Sequence, residues 1–254
     1  MKYVAGIDSG FYFTKVVIVN DSEIISQSIR KSGARPVAEV AESTLVEACK
    51  RAGIKVASIE CITATGFGRD DVRIADNVLS DSICLSRGIR QAMAGITTVL
   101  DVGAQKCLAI RLSEELKVAK SDKCAGGAGM SFEIVADILG IPLEEMAKYS
   151  DDYVEEIEIN STCAIFAESE IISLIHAQKT PKDILHGLYH GIGRRISTLL
   201  RMVSFDMNVG IVGGGALHLG LRSSLEKELG CRLIVPENAL MLNALGAATA
   251  YVDP

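Results

Sequence analysis

The sequence predicts an α/β fold made of two related lobes, and two observations indicate it. A β-rich run, an Asp-x-Gly corner and a second β-rich run follow one another twice in the sequence. The corner is Asp8–Gly10 in the first case and Asp101–Gly103 in the second. This order is typical of a β-hairpin. Each hairpin is followed by stretches whose apolar residues recur at helical spacing. A repeated hairpin followed by helices predicts a duplicated α/β unit.

The first lobe is predicted to cover residues 1–94. Its hairpin consists of a strand at Val4–Ile7 and a strand at Thr14–Val19. The apolar spacing then predicts a helix over Val37–Ala52, which ends before Gly53, where a glycine commonly terminates a helix. The remaining predicted elements are a strand at Ile59–Ala64 and a helix at Ser82–Ala94.

The second lobe is predicted to cover residues 95–254. Its hairpin joins the β-rich runs Thr98–Gly103 and Cys107–Leu112. Pro181 suits the first turn of a helix, because its missing N–H has no partner there. The predicted helices are Ala125–Leu139, Cys163–Ala177, Pro181–Arg201, a helix ending at Leu229, and Leu240–Tyr251. The predicted strands are Glu156–Ile159, Val209–Val212 and Arg232–Val235.

Composition excludes several classes of protein. The 254 residues carry a net charge of −6 and no basic stripe, which argues against general nucleic-acid binding. The sequence has no apolar run of about 18 residues, so we expect no membrane span. The chain passes directly from Met1 into a predicted strand, and its seven cysteines form no tight pairs. We therefore expect a protein of the reducing cytoplasm without a signal peptide.

The glycine corners indicate nucleotide binding. An aspartate at such a corner offers an oxygen ligand to Mg²⁺, and the glycine lets a ligand approach the backbone. A predicted strand also runs directly into Gly213–Gly215, where a nucleotide could approach closely. Taken together in this order, the three corners predict an actin-like ATPase architecture, with ATP in a cleft between two related lobes.

Two cysteines indicate a metal centre. Cys124 and Cys163 each stand at the start of an apolar, helix-like stretch. A helix N-terminus favours a thiolate and an anionic iron–sulfur cluster, because its N–H groups are unpaired and its dipole end is positive. Two thiolates are half of the four that hold a four-iron cluster, and a twofold dimer would supply the other two. This pattern predicts an electron carrier with a cluster between subunits.

The chain resembles the ATP-dependent activators of 2-hydroxyacyl-CoA dehydratases and the related ATPase subunits of benzoyl-CoA reductase (the BadF/BadG/BcrA/BcrD-type ATPases). The resemblance covers nearly the whole chain, and its two cysteine motifs are the specific part. The motifs that carry it are Gly6-Ile7-Asp8-x-Gly10 with Lys15, Ala64–Arg69, Asp101-Val102-Gly103-x-Gln105, Asp122–Gly129, Ser161–Glu170, and Gly213-Gly214-x-Ala216 with Ala244–Ala248.

The resemblance implies an assembly and a reaction. The fold would be two ribonuclease H-like lobes, in a homodimer or in a heterodimer with a homologous subunit. Cys124 and Cys163 of both subunits would hold one 4Fe-4S cluster. ATP hydrolysis with Mg²⁺ would drive a low-potential electron into a dehydratase or reductase acting on an acyl-CoA. A ferredoxin or flavodoxin would be the upstream electron donor.

The resemblance also implies roles for individual residues. Asp8 and Asp101 would hold Mg²⁺, and Asp101 or its neighbour would orient the attacking water. Gln105 would polarise the γ-phosphate or that water. The residues expected to contact phosphate or adenosine are Gly10, Thr14, Lys15, Gly103, Gly213, Gly214 and Gly215.

Both phosphate corners depart from the family pattern. Phe11 and Tyr12 stand where small hydroxyl residues are usual, and Ala104 and Lys106 replace a glycine and an acid. Two alternative functions therefore remain open beside the electron donor. One is an actin-like kinase of a small molecule, which would have no use for Cys124 and Cys163. The other is a non-catalytic, nucleotide-binding regulator of a larger enzyme.

Overall fold

The computed structural model describes residues 3–21, 23–33, 35–121, 129–150, 152–159 and 164–251. The chain divides into two compact units. One consists of Met1–Ile96 with Pro236–Pro254, and the other of Thr97–Val235. Within the described residues, no helix is long and apolar enough to cross a lipid bilayer.

The described residues form ten strands and eight α-helices. In chain order these are β1 (Tyr3–Ser9), β2 (Phe13–Asn20), β3 (Glu23–Lys31), α1 (Val37–Ala52), β4 (Ile59–Thr65), β5 (Asn77–Val78), α2 (Asp81–Ala92), β6 (Thr98–Val102), β7 (Cys107–Arg111), β8 (Lys117–Lys120), α3 (Gly129–Leu139), α4 (Met146–Ser150), α5 (Ala164–His176), α6 (Pro181–Val203), β9 (Val209–Val212), α7 (Leu219–Leu229), β10 (Leu233–Ile234) and α8 (Leu242–Thr249).

The first unit contains a five-stranded sheet in the order β3-β2-β1-β4-β5. The first three strands pair antiparallel, and β4 and β5 continue the sheet in parallel. Apolar side chains of β1 and β2, including Ile7 and Ile18, pack on Leu45 of α1. Helix α8 also contacts β1, and a Cβ on Gly6 would collide with the Ala244 carbonyl. The glycine therefore permits this close approach.

The second unit repeats the same topology. Its sheet has the order β8-β7-β6-β9-β10, with β6, β7 and β8 antiparallel and β9 and β10 added in parallel. Each unit thus consists of a three-stranded meander followed by parallel strands and helices. The predicted α/β class and the predicted duplication of the opening hairpin are both confirmed.

One predicted strand lies outside the sheets. The segment Glu156–Ile159 has no regular secondary structure, and no strand pairs with it among the described residues. Ile157 and Ile159 are buried, and their carbonyls lie against Gly187 and Gly191 of α6. The alternation of charged and apolar residues in this segment therefore reflects packing on a helix. The same alternation also occurs in a strand of a sheet, so the sequence pattern does not distinguish the two.

The C-terminal segment differs from the sequence expectation for residues 95–254, because Pro236–Pro254 packs within the first unit. Helices α2 and α8 approach so closely that a Cβ on Gly246 would collide with the Cys84 carbonyl, and one on Gly88 with the Leu242 carbonyl. The order of helices along the chain did not indicate that the C-terminal segment packs in the first unit, because this packing depends on contacts between the two ends of the sequence.

Candidate functional site

The first corner is built around a partly buried ion pair. Asp8 lies near the end of β1 and is 6% exposed. The antiparallel register places Lys15 of β2 opposite it, and directly opposed residues project from the same face of a sheet. Lys15 Nζ lies 2.9 Å from Asp8 Oδ2. The hairpin therefore brings together the carboxylate and the ammonium group that the sequence singled out.

Gly10 begins the turn between these strands. Its N–H donates to the Phe13 carbonyl over 3.0 Å, so Phe11 and Tyr12 form the tip of the hairpin. A Cβ on Gly10 would lie 2.7 Å from the Phe13 oxygen and 3.1 Å from Lys15 Nζ. Only glycine leaves this space open beside the lysine. The aromatic rings of Phe11 and Phe67 meet edge to face, 5.8 Å apart.

Thr14 contributes its hydroxyl to a small network within the hairpin. The residue is buried, and its Oγ1 lies 3.2 Å from Ser32 Oγ. Ser32 Oγ donates to the Gly10 carbonyl, and the Ser32 N–H donates to the Tyr12 carbonyl. Ser32 therefore fixes both sides of the tip. Sequence reasoning missed Ser32, because it follows β3, a strand that was not predicted.

Gly66 closes the first corner from the neighbouring strand. Thr65, the last residue of β4, pairs in register with Asp8, and Gly66 follows with φ +95°. A Cβ there would collide with Asp8 Oδ1 and lie 2.6 Å from the Ser9 carbonyl. The Gly68 N–H donates to that same carbonyl over 2.9 Å. The sequence analysis gave these glycines no site role. The feature that could have indicated one is a Gly-x-Gly directly after a strand that pairs in parallel with β1.

The second corner repeats this arrangement. Asp101 of β6 is 8% exposed and pairs in register with Val212, the last residue of β9. Gly213 follows with φ +80°, and a Cβ there would collide with Asp101 Oδ1 and lie 2.7 Å from the Val102 carbonyl. Gly213 therefore stands to Asp101 as Gly66 stands to Asp8. Such close approach of backbone to a carboxylate needs glycine at both positions.

The other predicted residues of this corner lie around the same turn. The Gly103 N–H donates to the Lys106 carbonyl over 3.0 Å, and Gln105 is half-buried in the loop between them. Gly215 is buried against the Val102 side chain. Gly214 is exposed, and a Cβ there would meet no atom within 4 Å. The Gly213–Gly215 turn thus has one face packed against Val102 and one face that meets no other atom.

Two buried thiols lie close to the corner carboxylates. Burial raises the pKa of Cys84 to about 11. Burial raises the pKa of Cys107 to about 12, and the charge of Asp101 acts in the same direction. Both thiols are therefore protonated at neutral pH, and neither has the thiolate character that metal binding or nucleophilic attack requires.

The second corner also holds both ends of the segment that contains Cys124. Before this segment, the Ser121 N–H donates to the Cys107 carbonyl and the Cys107 N–H donates to Ser121 Oγ. After it, the N–H groups of Gly129 and Met130 donate to the carbonyls of Gly103 and Ala104, each over 2.9 Å. Cys124 itself lies outside the described residues.

Cys163 also lies outside the described residues, immediately before α5. The segment leading toward it is anchored by Asp183, which accepts hydrogen bonds from the Val154 and Glu155 N–H groups. Helices α3 and α5 pack against each other. Across the described ranges, no three His, Cys, Asp or Glu side chains form a metal-binding group, and the five described cysteines are buried. The assignment of cluster ligands to Cys124 and Cys163 remains a prediction.

Comparison with known proteins identifies the relatives of this chain. The sequence profile of the BadF/BadG/BcrA/BcrD ATPase family matches residues 5–250. The (R)-2-hydroxyglutaryl-CoA dehydratase activating ATPase of Acidaminococcus fermentans is 31% identical, over 97% of this chain and 95% of that protein. The 2-hydroxyisocaproyl-CoA dehydratase activator of Clostridioides difficile is 29% identical, over 99% of this chain and 95% of its own length.

A solved structure supports the same relationship. The crystal structure of the Acidaminococcus fermentans (R)-2-hydroxyglutaryl-CoA dehydratase component A has a TM-score of 0.89 to this chain. The match is 30% identical and covers 98% of this chain and 97% of the other. The predicted actin-like ATPase fold and the resemblance stated from the sequence motifs are thereby confirmed.

Proposed function

Because the chain belongs to the BadF/BadG/BcrA/BcrD ATPase family, we propose that it is an ATP-driven electron donor for an enzyme that dehydrates or reduces an acyl-CoA. The observation that carries the proposal is the anchoring of the Cys124 segment on the Asp101 corner. Ser121 and Gly129 flank Cys124 in the sequence, so this anchoring would join a nucleotide-binding corner and a cluster ligand within one short stretch of chain.

Each corner carries groups suited to phosphate and Mg²⁺. Asp8 and Asp101 are carboxylates at strand ends, which suits a hard cation. Lys15 supplies a positive charge beside Asp8, and the tight turns that begin at Gly10 and Gly103 would let the phosphates approach the backbone. Thr14 supports the first tip from within. The open face of the Gly213–Gly215 turn would receive adenosine.

Hydrolysis would use the second corner. Asp101 and Gln105 would orient the attacking water, since phosphoryl transfer depends mainly on positioning and charge. Ala104 and Lys106 make this loop bulkier and more basic than the family pattern. We therefore expect nucleotide binding together with slow hydrolysis in the absence of the partner enzyme.

Cys124 and Cys163 would supply the thiolates for the cluster. A 4Fe-4S cluster requires four such ligands, so one cluster would be shared by two subunits, either a homodimer or two homologous chains. When bound, the cluster supplies the low-potential electron. Cys124 is three residues from Ser121 and five from Gly129, and both of these residues are hydrogen-bonded at the second corner. Movement of the second corner would therefore reach it directly.

The partners follow from the same proposal. The electron acceptor would be a 2-hydroxyacyl-CoA dehydratase or a reductase of the benzoyl-CoA type, and a ferredoxin or flavodoxin would reload the cluster. The absence of a basic stripe in the sequence fits partners other than nucleic acid.

Iron and acid-labile sulfide per chain test the proposal, measured on anaerobically prepared protein of known oligomeric mass. A shared four-iron cluster predicts about two irons per chain in a dimer. Cys124→Ser and Cys163→Ser should lose the iron and keep Mg-ATP binding, whereas Cys231→Ser, at a buried cysteine distant from both in sequence, should keep both. Iron-free wild type after reconstitution would contradict the proposal, and retained nucleotide binding would then indicate the regulator.

A further inference from the structure

A stack of three rings joins the glycine turn to helix α3 in the second unit. The His218 ring lies 4.7 Å from the Phe132 ring, and the Phe132 ring lies 5.2 Å from that of Tyr189, with interplanar angles of 30° in both pairs. Phe132 is fully buried. The three residues come from three separate parts of the chain, so the stack is a tertiary contact that neighbouring sequence does not produce.

His218 is bonded directly to the glycine turn. Its N–H donates to the Gly215 carbonyl over 3.2 Å, and its own carbonyl accepts from the Arg222 N–H in α7. The residue therefore ends the turn that begins at Gly213 and starts the next helix. A change in the backbone of the turn must be passed on to the position of the His218 ring.

Phe132 belongs to the first turns of α3, which the other nucleotide corner also holds. The Gly129 and Met130 N–H groups donate to Gly103 and Ala104. The start of α3 is thus connected to the Asp101 corner through its backbone and to the Gly213–Gly215 turn through Phe132. Both predicted nucleotide contacts of this unit converge on one helix, which follows Cys124.

Tyr189 provides a rigid backing for the stack. A Cβ on Gly220 would lie 2.5 Å from Tyr189 Cε2, so the ring packs directly on the backbone after His218. Ser224 Oγ donates to the Tyr189 carbonyl over 3.0 Å. Burial lowers the pKa of His218 to about 4, so its ring packs as a neutral group at physiological pH. Closely packed rings transmit a displacement because the interior resists compression.

We propose that His218 and Phe132 are positioning residues that couple nucleotide occupancy of the Gly213–Gly215 turn to the position of helix α3. This inference rests on the proposed function, since it assumes that the turn receives a nucleotide. It adds the route by which occupancy of the turn reaches the helix after Cys124.

Hydrogen–deuterium exchange of the α3 amides, with and without Mg-ADP, tests the coupling on the full-length chain. In the wild type we expect nucleotide to slow exchange in α3. His218→Ala should bind Mg-ADP with an affinity within about threefold of wild type. The factor by which Mg-ADP slows α3 exchange should be at least about fivefold smaller in this variant than in the wild type, a typical coupling magnitude. His218→Phe should restore the effect because it keeps a flat ring, and His176→Ala, at an exposed histidine of α5, should behave as wild type.

Phe132→Leu provides a second, independent break in the stack and should also lose the slowing. A full α3 response in both His218→Ala and Phe132→Leu would overturn the inference, as would an equal loss in His218→Phe. Calorimetric titration with Mg-ADP separates this from the proposed function. Wild type that binds no nucleotide would overturn both, whereas wild type that binds it while the variants respond normally would overturn the coupling alone.

Discussion

At the residue scale, the two corner aspartates are each covered by a glycine of the next strand. Gly66 packs on Asp8 and Gly213 packs on Asp101, both with positive φ. In each corner the carboxylate is therefore held between its own hairpin and a backbone that carries no side chain. The position of the carboxylate depends on that missing Cβ as much as on the hairpin.

We expect Gly66→Ala to impair Mg-ATP binding at least tenfold, because the new Cβ would push the Asp8 carboxylate from its position. Gly33→Ala is a matched control. Gly33 also has positive φ, at +62°, but its Cβ would meet no atom within 4 Å. The control should lose about 1 kcal/mol of stability from backbone strain alone. Titration calorimetry with Mg-ATP and thermal unfolding distinguish the two effects, and equal affinities in both variants would contradict this account.

The sequence identified the charged residues of the corners better than the residues from other strands that hold these corners in place. Asp8 and Asp101 were recognisable because an Asp-x-Gly corner follows a β-rich run in both lobes. Lys15 was expected from the family resemblance, which rests in part on Gly6-Ile7-Asp8-x-Gly10 with Lys15. Ser32 and Gly66 were missed because they reach the corner from strands that are distant in sequence, and single-sequence patterns carry no register between distant strands.

At the element scale, the segment before Cys163 is held by the N-terminus of α6. Thr180 caps this helix, and Asp183 three residues later completes a reciprocal capping arrangement. Asp183 also accepts from the Val154 and Glu155 N–H groups over 2.8 and 2.9 Å. These hydrogen bonds, with that of Thr180, lower the pKa of Asp183 to about 2. One carboxylate thus joins the segment at Val154–Glu155 to the helix.

Asp183→Asn should destabilise the protein by about 2 kcal/mol, since an amide cannot replace three hydrogen bonds to a carboxylate. Asp152→Asn is the control. Asp152 pairs with Lys182 at the surface and its side chain is 74% exposed, so its loss should cost less than about 0.5 kcal/mol. Urea unfolding near neutral pH measures both, and indistinguishable midpoints for the two variants would contradict the role of Asp183 as an anchor.

The pH dependence of the same residue has a defined sign. The pKa of Asp183 is lower in the folded state, about 2, than its ordinary value of 3.8. The unfolded chain therefore binds the proton first on acidification. The stability from Asp183 is fully present above about pH 4 and is lost as the pH falls from about 4 to 2. Asp183→Asn should flatten this part of the stability profile.

Element prediction succeeded where a local pattern was sufficient. Helix α1 begins and ends at the predicted residues because its apolar face and the terminal Gly53 are both local signals. The third strands of the two meanders, β3 and β8, were missed because β3 is mostly exposed and β8 spans only Lys117–Lys120. These segments are strands because they pair with the buried strands β2 and β7, and the sequence gives no indication of this pairing.

At the scale of the whole molecule, the first unit is discontinuous in sequence. The last helix, α8, returns to β1 and α2 after the chain has completed the second unit. It contributes a buried apolar face that includes Leu242, Leu245 and Ala248. The second unit, Thr97–Val235, is by contrast one continuous segment. The two units therefore differ in how they depend on the C-terminus.

Removal of Pro236–Pro254 should unfold the first unit, because it exposes the apolar surfaces of β1 and α2 that α8 covers. The isolated fragment Thr97–Val235 should fold cooperatively, since the four strand pairings that join β6 to β10 need no residue outside the segment. Limited proteolysis with mass spectrometry of the truncated chain should locate early cleavage in residues 1–96, while residues 97–235 stay protected. Uniform cleavage of both units, or a protected first unit, would show that α8 is not what completes it.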